Sequence, residues 1–199
     1  MNKKSDLKVL VINCGSSSVK FQLINMVDEN VLASGIVERI ELPQSLIKFE
    51  FGNNSFTKEF DTLDHSSAIS EILDAVTHGK LGIIDDKSEI SAVGHRVVHG
   101  AEHFTGSVLI TDDTIKQIEA CIELAPLHNP HNLKGILVCK KLLTGIPQIA
   151  VFDTAFHKIY RQGHMYKHGL PLFDERRCQI PLSVGCPSEV FYIQVFPSN

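Results

Sequence analysis

Four short segments carry residues whose types and spacing could do chemistry. The first is Asn13-Cys14-Gly15-Ser16-Ser17-Ser18-Val19-Lys20. Its glycine lets backbone approach a ligand closely, its hydroxyls and N–H groups can donate to phosphoryl oxygens, and Lys20 adds a cation. Ser16, Ser18 and Lys20 alternate, so on an extended chain they share one face. Asn13 ends the apolar run before the glycine, where it could hold a Mg2+ ion or one of its waters. The Walker pattern GxxxxGK[ST] is absent. A polar hairpin turn with a snorkelling lysine is the competing reading.

The second segment is Gly94-His95-Arg96-Val97-Val98-His99-Gly100. Arg96 at a strand end suits bidentate binding of a carboxylate or phosphate, or equally a salt bridge to a local Asp or Glu. Val97 or Val98 could wall a small apolar pocket, while His95 and His99 read first as structural hydrogen-bonding residues. The third, Leu124-Ala125-Pro126-Leu127-His128-Asn129-Pro130, is a helix-to-helix junction. There Leu127 could line a pocket or simply join the core, and His128 could face a cleft. The fourth is Val151-Phe152-Asp153-Thr154-Ala155-Phe156-His157. Asp153 follows a buried apolar run, at the strand edge where α/β proteins bind ligands. Capping a helix is its rival role.

The elements that must position these residues read from the hydrophobic period. Three apolar stretches, Leu7–Asn13, Val19–Met26 and Val31–Ile40, separated by polar turns, predict antiparallel strands. Lys48–Phe51 and Ser55–Phe60 around Gly52-Asn53-Asn54 predict a hairpin. Ile69, Ile72, Leu73 and Val76 then fall on one helical face, with Gly79 as the expected C-cap. A strand is expected at Ile90–Val98, and a helix opened by Thr111 with Ile115, Ile118 and Ile122 inward. Asn129-Pro130 predicts the N-cap and first residue of a further helix, its apolar face Leu133, Ile136, Leu137 and Leu142 or Leu143, ended by Gly145. Gln148–Phe152 predicts a buried strand. Consecutive strands followed by alternating helices and strands predict an α/β mixed sheet covered by helices.

Composition excludes several classes. At 199 residues, with 43% hydrophobic and 21% charged residues, the chain has an ordinary globular make-up. A net charge of −4 and no Lys/Arg-rich run argue against nucleic-acid binding. No apolar run is long enough for a membrane span or signal-peptide core. The cysteines, Cys14, Cys121, Cys139, Cys178 and Cys186, are odd in number and lack CxxC spacing, so free thiols in a reducing cytoplasm are expected.

Together the four segments resemble the acetate kinase family, within the superfamily of acetate and sugar kinases and actin. The resemblance rests on VLVINCGSSSVKFQLI at 9–24, GHRVVHG at 94–100, LAPLHNP at 124–130 and VFDTAFH at 151–157. All four stand in the family's order and at about its spacing. The resemblance implies that Asn13 binds magnesium, that Ser16 and Ser18 lie near the phosphates and that Lys20 contacts ATP. It implies Arg96 as holder of the substrate carboxylate, Val98 and Leu127 as walls of the methyl pocket, and His128 near the phosphoryl path. Asp153 matches the family's active-site aspartate. The implied fold is a ribonuclease-H-like, actin-type ATPase lobe in β-β-β-α-β-α-β order. The implied reaction is reversible transfer of the γ-phosphoryl of ATP to acetate, giving acetyl phosphate and ADP, with Mg2+ or Mn2+ as cofactor. Acetate is already ionised at neutral pH. Asp153 is therefore expected to position Arg96 and a metal-bound water, not to abstract a proton.

The resemblance also implies a boundary, with residues 1–157 as an amino-terminal lobe and 158–199 as an irregular tail outside the family pattern. After His157 the family continues with an IRRYGFHGTSH-like string and a second lobe, which 158–199 do not match. The expectation is a frameshifted or truncated ending, poorly ordered, on a chain inactive by itself. Intact members are homodimers; this chain is expected as a monomer or aggregate, with no nucleic-acid or membrane partner. Two alternatives are a propionate or butyrate kinase of the same family, and a non-catalytic module that binds a carboxylate or phosphate.

Overall fold

The β-branched runs at the amino end fold as an antiparallel meander: β1 (Lys8–Cys14), β2 (Ser18–Asn25), β3 (Asn30–Glu38), β4 (Ser45–Phe51) and β5 (Asn54–Phe60). There follow α1 (His65–Thr77), β6 (Ile90–Val97), β7 (Val108–Leu109), α2 (Asp112–Ala120), α3 (Asn129–Leu142) and β8 (Gln148–Phe152). This computed structural model describes residues 7–77, 83–101, 104 and 106–154. The expected Gly79 cap and the tail from 158 lie outside them.

The eight strands of the described residues form one sheet in the order β5-β4-β3-β2-β1-β6-β8-β7. β1 runs parallel to β6, and β6 to β8, while the other neighbours are antiparallel. Strands β1, β2, β3, β6 and β8, with the intervening helices, realise the expected β-β-β-α-β-α-β order. The β4–β5 hairpin widens one side of this core and the two-residue β7 finishes the other, so the described residues carry more strands than that order counts.

Alternation sorts each strand into two faces. Leu10, Ile12 and Cys14 of β1 and Val19, Phe21 and Leu23 of β2 join Ile69, Ile72, Leu73 and Val76 of α1 in the larger core. Val97, Ala150 and Phe152 pack with Ile115 and Ile118 of α2 and Leu133 and Ile136 of α3 in a second one. On the opposite face Val11, Ile149 and Val151 form a small cluster. Asn13, Lys20 and Arg96 occupy half-buried alternate positions on that opposite face. Among the described residues no helix is long and apolar enough to cross a membrane.

Thr111 caps α2 as expected: its Oγ1 accepts from the Thr114 N–H at 3.2 Å, and Asp112 and Asp113 fill the first turn. Two expectations fail at α3. His128, not Asn129, stands at the N-cap and makes no capping bond, and the Asn129 amide donates instead to the His99 carbonyl. Leu137 is 45% exposed, since Cys139 and Leu143 take the inward positions.

Candidate active site

The β1–β2 turn is shaped from behind. The Gly15 N–H donates to the Ser18 carbonyl at 2.8 Å, closing the turn. Three more of its carbonyls meet donors from distant parts of the chain: Cys14 O meets Asn132 Nδ2 at 2.7 Å, Gly15 O meets His65 Nε2 at 2.8 Å, and Ser17 O meets the Ile40 N–H at 3.0 Å. Ser16 and Ser17 are exposed, and Ser18 and Lys20 half-buried. Register sets Asn13 directly opposite Lys20. Partial burial lowers the Lys20 pKa, and the Arg96 guanidinium lowers it further against an opposing pull from Glu38. Two cations from different strands thus act on one region in front of the sheet.

Arg96 pairs across the parallel β6–β8 ladder with Val151, and Asp153, two residues on, returns to the same face. The pair is bidentate: Nε donates to Oδ1 at 3.0 Å and Nη2 to Oδ2 at 2.7 Å. Their side chains are 17% and 22% exposed. The salt bridge that competed for Arg96 therefore exists, and its partner is itself a candidate site residue. The fork geometry leaves the other guanidinium N–H groups of Arg96 to meet a second anion.

The strand ends carrying these groups are locked by α3. Asn132 Oδ1 accepts from the Val98 N–H at 3.1 Å while its Nδ2 holds Cys14 O, so one buried amide ties the ends of β1 and β6 together. Asn129 exchanges bonds with the His99 backbone, accepting at 3.2 Å and donating at 2.8 Å. The Gly100 N–H donates to Thr154 Oγ1 at 3.2 Å. One turn past Asn132, a Cβ on Gly135 would come within 2.3 Å of Cys14 Sγ, so glycine lets α3 sit directly on the end of β1. The sequence reading missed Asn132, Gly135 and His65. The available signal was the 129, 132, 135 spacing, which puts two amides and a glycine on one helical face.

The remaining candidates stand at the margin. Val98 is half-buried, Leu127 is 74% exposed, and His128 is exposed at the entrance to α3. His95 is buried, bonds Gln148 Oε1 at 2.7 Å, and has its pKa pushed down to about 4 by burial, which fits the structural reading. Among the described residues no three His, Cys, Asp or Glu side chains cluster to cage a metal ion. Asn13 offers an amide oxygen opposite Lys20.

Known proteins resemble this chain in sequence and in fold. The profile of the Acetokinase family matches residues 8–176, extending past His157. An acetate kinase of Thermoanaerobacterium thermosaccharolyticum is 55% identical over 152 residues, covering 76% of this chain and 38% of that protein. The crystal structure of Porphyromonas gingivalis acetate kinase superimposes with a TM-score of 0.73 at 51% identity, covering 75% of this chain and 38% of that one. A propionate kinase from Francisella tularensis superimposes at 0.70 with 40% identity, covering 76% and 38%. The chain spans about two fifths of the length of the curated relatives it matches.

Proposed function

The chain belongs to the acetokinase family, and from that premise we propose that its turn, arginine and aspartate serve reversible phosphoryl transfer from ATP to acetate, yielding acetyl phosphate and ADP. The bidentate Arg96–Asp153 pair, on the same sheet face as Lys20, carries this reading. Arg96 holds the acetate carboxylate with the N–H groups that Asp153 leaves, and Asp153 fixes the guanidinium plane. Both Asp153 oxygens are spent on Arg96, which suits a positioning role better than that of a base. An ionised carboxylate nucleophile has no proton to lose. Lys20 and the Ser16 and Ser18 groups meet the phosphates, so this chain contributes positioning and charge neutralisation to the transfer.

A divalent cation fits the donor set as a nucleotide-borne ion. Mg2+ keeps several waters and binds through few protein oxygens plus substrate phosphates, and Asn13 would hold it or one of its waters. When bound, such an ion neutralises charge on the transferring group. Val98 and Leu127 bound the acyl side, with His128 near the phosphoryl path. The likeness to a propionate kinase, at 40% identity, favours propionate as a second reading. The buried free thiols Cys14, Cys121 and Cys139 support a cytoplasmic setting.

Acetyl phosphate titrated into the 15N-labelled chain tests the proposal. Saturable shifts at the Ser16–Ser18 amides and the Arg96 Nε–H are expected, and Arg96→Gln should weaken binding about tenfold. Diffuse shifts, or unchanged affinity in the variant, would overturn it. Trapping acetyl phosphate as its hydroxamate measures turnover from ATP and acetate.

A further inference from the structure

Behind the β1–β2 turn sits a polar assembly that the proposed chemistry leaves unused. His65 opens α1, is 0% exposed, and its Nε2 lies 2.8 Å from Gly15 O. That oxygen can only accept, so Nε2 carries the proton. The ring stacks on His131 of α3 at 5.6 Å between centroids. Its Nδ1 faces Glu41 Oε1 at 3.5 Å and makes no hydrogen bond. Glu41 is held by Lys134 Nζ at 2.5 Å.

The corner that presents Glu41 is strained. Arg39, Glu41 and Gln44 have φ of 60°, 64° and 60° without being glycine, each at a cost of about 1 kcal/mol or more. The buried Ser45 hydroxyl holds the corner, reaching the Arg39 and Leu42 carbonyls at 2.9 and 3.2 Å and accepting from the Leu63 N–H at 2.8 Å. Such strain persists only where the surroundings over-determine it. Here the same corner sends the Ile40 N–H to Ser17 O. Corner and histidine therefore grip successive parts of one turn.

The peptide bonds here are trans, and across a trans peptide the N–H points opposite to the preceding carbonyl. Drawing Gly15 C=O inward onto His65 therefore turns the Ser16 N–H away from His65, and Ser16 is an exposed residue. We propose that His65 is a positioning residue for phosphoryl binding: its Nε2–H locks the Gly15–Ser16 peptide so that the Ser16 amide donates to a phosphoryl oxygen. The inference rests on the phosphate reading of the turn and goes beyond it by naming what aims the amide.

Two variants separate the donor from the ring. His65→Gln keeps an N–H near the Nε2 position and discards the stacking. His65→Phe keeps the stacking and discards the donor. Inorganic pyrophosphate is titrated into the full 15N-labelled chain and the Ser16 amide is followed. His65→Phe should bind about tenfold more weakly, the value of roughly one hydrogen bond, with the Ser16 resonance displaced even before ligand is added. His65→Gln should stay within about threefold of the wild type. Equal binding by His65→Phe, or equal loss in both variants, would overturn the role of His65 alone. No Ser16 shift in the wild-type chain sinks the phosphate reading and this role with it. Should His65→Phe fail to fold, the imidazole 15N spectrum of the wild type decides: an unprotonated Nε2 overturns the inference.

Discussion

Asp153 gives both carboxylate oxygens to Arg96, and this separates two possible roles by their variants. A positioning carboxylate makes Asp153→Asn and Asp153→Ala weaken acetate binding together, because the guanidinium loses its anchor. We expect at least a fivefold rise in the acetate dissociation constant, with a loss of about 1–3 kcal/mol in urea unfolding for the Ala variant. A base would instead leave acetate binding by Asp153→Asn unchanged, and calorimetric titration tells the two apart. His95 behaves differently. Its folded-state pKa, about 4, lies below the ordinary 6.5 because burial disfavours the charged ring. The unfolded chain then binds the extra proton, so stability is full above about pH 6.5 and falls as pH drops towards 4, by on the order of 3 kcal/mol. His95→Gln lacks this proton, so its melting temperature should approach or pass that of the wild type over the same interval. Parallel wild-type and variant melting curves across pH would contradict the assignment.

At the scale of elements, α3 acts as a bolt across two strand ends. Asn129, Asn132 and Gly135 face the sheet on one side of the helix. Gly135→Ala should force α3 off β1 and cost about 2 kcal/mol. Combining it with Cys14→Ala removes the opposing sulfur and should recover part of that loss in chemical denaturation; strict additivity would rule out the contact as the cause. The same helix shows where sequence reading stops. β1, β2 and β3 read directly, because alternation and turn residues are local signals. Asn129 misleads, because asparagine before proline is a common cap pattern and only the tertiary position of His99 shows where its amide goes. Asn132 looks solvent-facing, since a lone polar residue in a helix carries no mark of burial. Arg96 and Asp153 read as candidates from their strand ends, but their pairing depends on the β6–β8 register, which no local pattern encodes. His65 leaves no trace either, because its acceptor is a backbone carbonyl 50 residues away.

For the molecule as a whole, Cys14 and Cys139 lie in the larger core, and burial pushes the Cys14 thiol up to about 12 and the Cys139 thiol upward as well. Neither should react with iodoacetamide below the denaturant concentration at which the sheet melts, as mass spectrometry of labelled peptides can show. Labelling of Cys14 well before that midpoint would mean that α3 detaches separately. The sheet order has another consequence, which belongs to the time before the fold exists. β1 is the earliest of the described strands yet central in the sheet, with β2 beside it in sequence and β6 as its other neighbour. The contact between Lys8 and Glu89 that precedes this second pairing spans 81 residues. On a ribosome adding roughly 5–20 residues per second, the meander can assemble while one side of β1 still lacks its mate. For several seconds the strand bearing Asn13 is a bare edge, open to any other nascent strand. The strand that carries part of the candidate site is thus an open margin while the chain is being made.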